Sequence, residues 1–273
     1  MHRSSAHYPA GASRLEPIGV LTCAALMGMA SFEVVKESAE QLFFHDDKMA
    51  VAVAATSSFL SLVVIILVKV VLLVLCKKAG HRRTQQTTSN YLSSVMIDPT
   101  LDALAQDHFN DALSNGVAAF ALVCVLSSPS LWFVDPIGAM LISAYIIVSW
   151  YWQGKEMIEQ LTGKVAPNDF IQELYDIANH FDPRMQVDVV RAYHFGPKFL
   201  VELEVVLPKN TLLFESHDLG MELQYEIEGR EEVERCFVHI DYESRPYDEH
   251  VISKVPELRQ KFLKERSSSA YSV

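Results

Sequence analysis

Gln106-Asp107-His108-Phe109-Asn110-Asp111-Ala112-Leu113-Ser114-Asn115 lies in a long apolar segment that continues through residues 117–126. Asp107 and Asp111 are one helical turn apart, so on a helix they share a face, and Asn115 continues it. Ionised carboxylates inside a membrane-grade run are costly unless something offsets their lost hydration. A divalent cation does so, because oxygen donors on one face suit a hard metal ion. The competing reading is that the span begins later and both acids sit in the membrane interface. Spacing alone leaves the two readings open.

Outward from this stretch, four apolar runs reach membrane length or nearly so: residues 17–35, 49–76, 101–126 and 137–150. Tyr151 and Trp152 extend the last as an interfacial belt. Lys69 interrupts the second run and reads as a side chain that snorkels to the nearer surface. Residues 77–83 read as a loop holding Lys77, Lys78, Arg82 and Arg83, which places that side in the cytoplasm. The loop after the first run holds Glu37, Glu40, Asp46 and Asp47 against Lys36 and Lys48, and residues 127–134 carry no charge. Both then face the far side, and both chain ends face the cytoplasm. Glu33 and Glu37 read as a solvated helix end. Asp135-Pro136 reads as an N-cap followed by a first helical residue.

The chain carries a net charge of -11 and is 50% hydrophobic, which fits a membrane part joined to a soluble part. The acid surplus, concentrated between Asp182 and Glu249, argues against a nucleic-acid partner. Cys23, Cys76, Cys124 and Cys236 are scattered, with no spacing of a disulfide framework or zinc knuckle. Residues 1–13 are polar, without the pattern of a signal peptide. No nucleophile–base pair, phosphate-cradling loop or cofactor motif argues for an enzyme, and no cofactor is expected.

Beyond a polar linker helix at 153–166, the pattern changes. Pro167-Asn168-Asp169 opens a helix with Phe170, Ile171, Leu174, Ile177, Ala178 and Phe181 on one face. Val187, Val189, Tyr193 and Phe195 alternate, Gly196-Pro197 turns, and Phe199, Val201, Leu203, Val205 and Leu207 alternate again. Residues 212–228 suit a helix striped by Leu212, Leu219, Leu223 and Ile227 and stopped by Gly229, and Cys236, Val238, Ile240 and Tyr242 share one strand face. The expected class is a helical membrane domain with four transmembrane helices, followed by a C-terminal α+β domain of order α-β-β-α-β, with its helices on one side of a small open sheet. The expected divisions are a 1–16 N-terminal segment, a 17–152 membrane domain, a 153–166 linker, a 167–245 soluble domain and a 246–273 tail, the last a short helix and then disorder. His239 and Asp241 share a strand face, and His217 on a neighbouring helix could complete a cluster; a merely polar surface explains them equally.

Three motifs in this order carry a family resemblance: Tyr8-Pro9 with Arg14-Leu15-Glu16-Pro17, Asp107-His108-Phe109-Asn110-Asp111, and Asp135-Pro136-Ile137-Gly138. With them the chain resembles the cation diffusion facilitator family, and its soluble part is similar to that family's metallochaperone-like, ferredoxin-like cytoplasmic domain. The resemblance implies exchange of a divalent metal ion for protons across a membrane, by a homodimer. It implies metal ligands at Asp107 and Asp111, and a second metal site at His217, His239 and Asp241. His108 falls about a hundred degrees round the helix from Asp107 and is expected beside the ligands rather than among them. The Asp-x-x-x-Asp spacing is similar to the manganese-type branch, so Mn2+ is favoured, with Zn2+ or Fe2+ as other cargoes. Phe109 stands where that branch usually has Arg. The four runs correspond to the family's third to sixth spans, so the sequence reads as a shortened form lacking the first two. That leaves an alternative, a non-transporting regulatory or dimerisation partner of a full-length relative. The expected location is an endomembrane, Golgi-like or vacuole-like.

Overall fold

A computed structural model describes residues 12–44, 55–87 and 99–244, with residues 256, 257, 260 and 264 of the C-terminal tail. The Tyr8-Pro9 motif and the Asp46–Lys48 part of the first inter-span loop lie outside the described residues; of the expected tail helix, the described positions 256, 257, 260 and 264 are helical. Four long helices come first: α1 (Leu15–Phe43), α2 (Ala55–Thr87), α3 (Pro99–Ser127) and α4 (Val134–Thr162). Each is long and apolar enough to cross a membrane. In lipid a helix is the one single-segment form that satisfies its own N–H and C=O groups, so an unbroken apolar run becomes one.

α1 packs chiefly against α4 and α2 against α3, and α3 joins the two pairs by lying on α4. The α1–α4 seam is largely apolar. Ala24, Ile146 and Trp150 form one cluster, and Val20 and Met157 meet Ala103 of α3 in another. Gly154 lets α1 approach until Leu21 and Ala24 lie 3.5 and 3.7 Å from where its Cβ would stand. Leu67, Val71 and Leu75 of α2 point outward, as expected of side chains solvated by lipid.

Three sequence expectations need correction here. Residues 77–83 are no loop, because α2 continues through them to Thr87. The polar linker helix expected over 153–166 is the continuation of α4, which runs unbroken only to Thr162 and closes on Gly163, at φ 77°. Asp135 is not the N-cap. Phe133 holds that position without a side-chain cap, and Asp135 sits in the first turn, where its carboxylate still opposes the helix's positive end.

The soluble domain comprises α5 (Asn168–Phe181), β1 (Gln186–Phe195), β2 (Lys198–Val206), α6 (Leu213–Glu228) and β3 (Val233–Asp241). β1 and β2 form an antiparallel hairpin turned by Gly196 at φ 77°, and β3 joins β2 in parallel, giving the order β1-β2-β3. Phe170, Leu174 and Ala178 of α5 meet Phe199, Val201, Leu203 and Val205 of β2 in one core, as the periodicities predict. The alternation in β1 breaks at a register shift between Val187 and Val189, so Val187 and Ala192 enter the core while Tyr193 turns to the other face. α6 lies on β3 where Gly220 meets Ile240: a Cβ there would fall 2.8 Å from Ile240 Cδ1. Leu212 is not part of the α6 stripe; it is 58% exposed. Gly229 ends α6 in a right-handed conformation, φ -65°, rather than the left-handed one expected of a stop.

α4 is joined directly to this domain. Gln160 O accepts from Gly196 N–H (3.2 Å), Lys164 O from His194 N–H (2.8 Å), and Ala192 O from Ala166 N–H (2.9 Å). The Arg14 guanidinium stacks 3.6 Å above the Phe195 ring. The His194 ring lies 4.6 Å from that of Phe199, and burial pushes its pKa below the usual histidine value.

Two outcomes follow. Phe199→Ala removes a fully buried ring and is expected to cost about 3–5 kcal/mol of domain stability, read by denaturant unfolding. Because folding depresses the His194 pKa, the unfolded chain binds the proton more readily, so stability falls as pH drops below about 6.5. His194→Gln is expected to flatten that loss between pH 7.5 and 5.5 in thermal melts.

Candidate metal centre

The site is built on the middle of α3 and faces α2. Asp107 and Asp111 project from the same side, one turn apart, and His108 places a ring nitrogen beside them. One donor atom from each of the three lies within 4.8 Å of the others. The sequence expectation of a shared carboxylate face therefore holds geometrically. His108 is nearer than a helical wheel implies, because a long imidazole reaches back round the helix. His108 is 9% exposed, and its Nδ1 is buried without a hydrogen-bond partner. An orphaned buried nitrogen is uncommon in a settled core, so the His108 ring has hydrogen-bonding capacity to spare beside the two carboxylates.

The neighbouring side chains hold this turn of α3 in place. Asn110 is wholly buried and accepts from Gln106 Nε2 at 2.9 Å. Asn115 does not extend the donor set through its amide nitrogen, which is spent on the Asp111 main-chain oxygen at 2.7 Å. The Phe109 ring turns away to meet Tyr145 of α4 edge-on, with centroids 6.5 Å apart. Phe109 thus contributes to packing and leaves the carboxylates to their neighbours.

Lys69 does not snorkel to a surface. Its ammonium makes an ion pair with Asp111 Oδ2. Sequence reasoning missed this contact because it depends on the register between α2 and α3. The only signal was a lone cation in an otherwise uncharged run, residues 59–76.

The residues expected to form a second site are spread out. His239 Nε2 stands 3.6 Å from Asp241 Oδ2, on the sheet face opposite α6. That face also carries Glu204, in register with His239, and Glu202. Arg191 Nη1 lies 3.2 Å from Glu204 Oε1 and 3.9 Å from Glu202 Oε2. Tyr193 donates to Glu202 Oε1 at 2.5 Å, and burial together with that carboxylate pushes its phenol up to about 12. His217 is on α6, 68% exposed, with Nδ1 3.1 Å from Asp218 Oδ1. Among the described residues, His217 does not gather with His239 and Asp241 into one donor group.

Comparison with known proteins agrees with this architecture. Residues 1–162 match the cation efflux transmembrane domain, and residues 166–243 match the cytoplasmic domain of cation efflux proteins. Metal tolerance protein 3 of Oryza sativa subsp. japonica is 35% identical over 270 residues, covering 91% of this chain and 57% of its own length. Metal tolerance protein 7 of the same plant is 33% identical, over 89% of this chain and 58% of its own. Metal tolerance protein 10 of Arabidopsis thaliana is 33% identical, over 89% and 53%. The chain thus spans a little over half the length of these relatives. With four membrane-length helices and both matched domains, it is a multi-pass membrane protein and belongs to the cation efflux family.

Proposed function

We propose that this chain carries the ion-binding part of a divalent cation transporter, with Asp107, Asp111 and His108 as ligands and Mn2+ as the favoured cargo. The observation that carries the reading is the convergence, within 4.8 Å, of one donor atom from each of two carboxylates and a buried imidazole on a helix long and apolar enough to cross a membrane. Charge balance then supplies the exchange. One divalent ion neutralises both carboxylates, and so do two protons, so a low-dielectric site tolerates either load and not the bare pair. Metal/proton antiport follows if the two loads are exchanged on opposite sides. Carboxylate donors favour manganese, while the imidazole brings zinc and iron within range.

The soluble domain is read as the dimerising part, giving a homodimer whose termini face the cytoplasm of an endomembrane compartment. Any metal bound there engages His239 with Asp241, and His217 separately. A second reading is a non-transporting partner of a longer relative. It is favoured by the three donors seen among the described residues, fewer than the six an octahedral manganese ion takes.

In proteoliposomes, Asp111→Ala is expected to lower Mn2+ uptake by at least about tenfold; uptake that persists at the original rate overturns the assignment. Absence of uptake by the unmodified chain, with co-purification of a longer relative, would favour the second reading. His108→Ala is expected to weaken metal binding about tenfold and to shift preference away from Zn2+ toward Mn2+, read by competition dialysis.

A further inference from the structure

Lys69 is the single charged residue between Phe59 and Cys76, so its place in α2 is not that of a solvated face. Its side chain is 28% exposed, and that of its partner Asp111 is 34% exposed. Asp111 is also a member of the only group of three metal-type donors found among the described residues. One carboxylate therefore serves the lysine and the donor cluster at once.

Those two uses conflict electrostatically. Asp107, Asp111 and Lys69 together carry one net negative charge. A divalent ion added with Lys69 still in place leaves the site net positive, with two cations crowded on one carboxylate in a low-dielectric setting. A divalent ion with Lys69 withdrawn leaves the carboxylates balanced. Lysine is suited to such an exchange: it is a compact charge on a flexible four-carbon stem, whereas an arginine fork would grip a carboxylate through two bonds.

Resting on the metal-site reading above, we propose that Lys69 is a tethered competitor: its ammonium occupies the cation position on Asp111 and withdraws when a divalent ion binds. Lys69 keeps its charge throughout and changes only its place. In this role it sets affinity, holding it low enough for the cargo to leave, and keeps the empty site from standing as an unbalanced carboxylate pair. A purely structural ion pair between α2 and α3 would instead favour metal binding by keeping the site intact.

The test is Mn2+ binding by the full chain in detergent micelles, measured by equilibrium dialysis for Lys69→Met, Lys69→Arg and Asp111→Asn. Lys69→Met is expected to bind Mn2+ about tenfold more tightly, and Lys69→Arg no more tightly than the original chain. Unchanged or weaker binding by a Lys69→Met protein of undiminished helix content and melting temperature overturns the proposal. A readout on the unmodified chain guards against a variant that does not fold. Reductive methylation of Lys69, followed by peptide mass spectrometry, is expected to speed up when Mn2+ saturates the site; an unchanged or slower rate overturns the proposal. Asp111→Asn separates the two layers. Its loss of binding with no effect at Lys69 removes the competitor alone, whereas binding that survives Asp111→Asn removes the metal-site reading on which it rests.

Discussion

A charge buried among lipid tails has to be answered by another charge, and that requirement shapes the α2–α3 half of the bundle. Lys69 and Asp111 come from different helices and are partners in an ion pair. The pair fixes how far α2 is slid along α3, since a shift of one turn, about 5.4 Å, would part them. The α1–α4 half is held differently, by Ala24, Ile146, Trp150 and the close approach at Gly154. One seam therefore carries an ion pair, while the other is largely apolar. α3 touches both seams, which puts Asp107, His108 and Asp111 at the centre of the arrangement.

The parts of this molecule that were legible in the sequence are those where one face is buried and the other is wet. α5 and β2 announce themselves through Phe170, Leu174 and Ala178 and through Phe199, Val201, Leu203 and Val205, because water and core select opposite residues at fixed intervals. The ends of α4 were not legible. Polar residues after Trp152 look like a new segment, yet a helix that has left the membrane goes on as long as nothing stops it, and Gly163 is the first residue that does. The bulge in β1 was hidden for a related reason. Asp188 adds a residue that breaks the two-residue beat, so every position after it changes face.

The site was half legible. Two acids a turn apart can be read off a helical wheel, since they belong to one element. His108 and Lys69 could not be read this way, because each reaches the carboxylates through side-chain length or through the register between helices. The same limit explains His217. The strand beat places His239 and Asp241 together, but the side of the sheet that α6 covers is decided by Gly220 fitting over Ile240. Once α6 lies there, the outer face is left to Arg191, Glu202, Glu204 and Tyr193, which are joined by short polar contacts into a single charged surface.

The unbroken course of α4 carries a mechanical implication. It has 29 residues and no interior break, so it behaves as a rod about 43 Å long. Tyr145, the twelfth of its 29 residues, packs against Phe109 of α3, and its last turn is stitched to the β1–β2 corner where Gln160 O accepts from Gly196 N–H. From Tyr145 to the end of α4 is an arm of about 26 Å, so a tilt of about 5° at that contact sweeps the end by roughly 2 Å. Any rocking of the bundle is thereby delivered to the sheet as a lever delivers it, enlarged and without slack, and a clamp placed on the sheet stiffens the bundle in return.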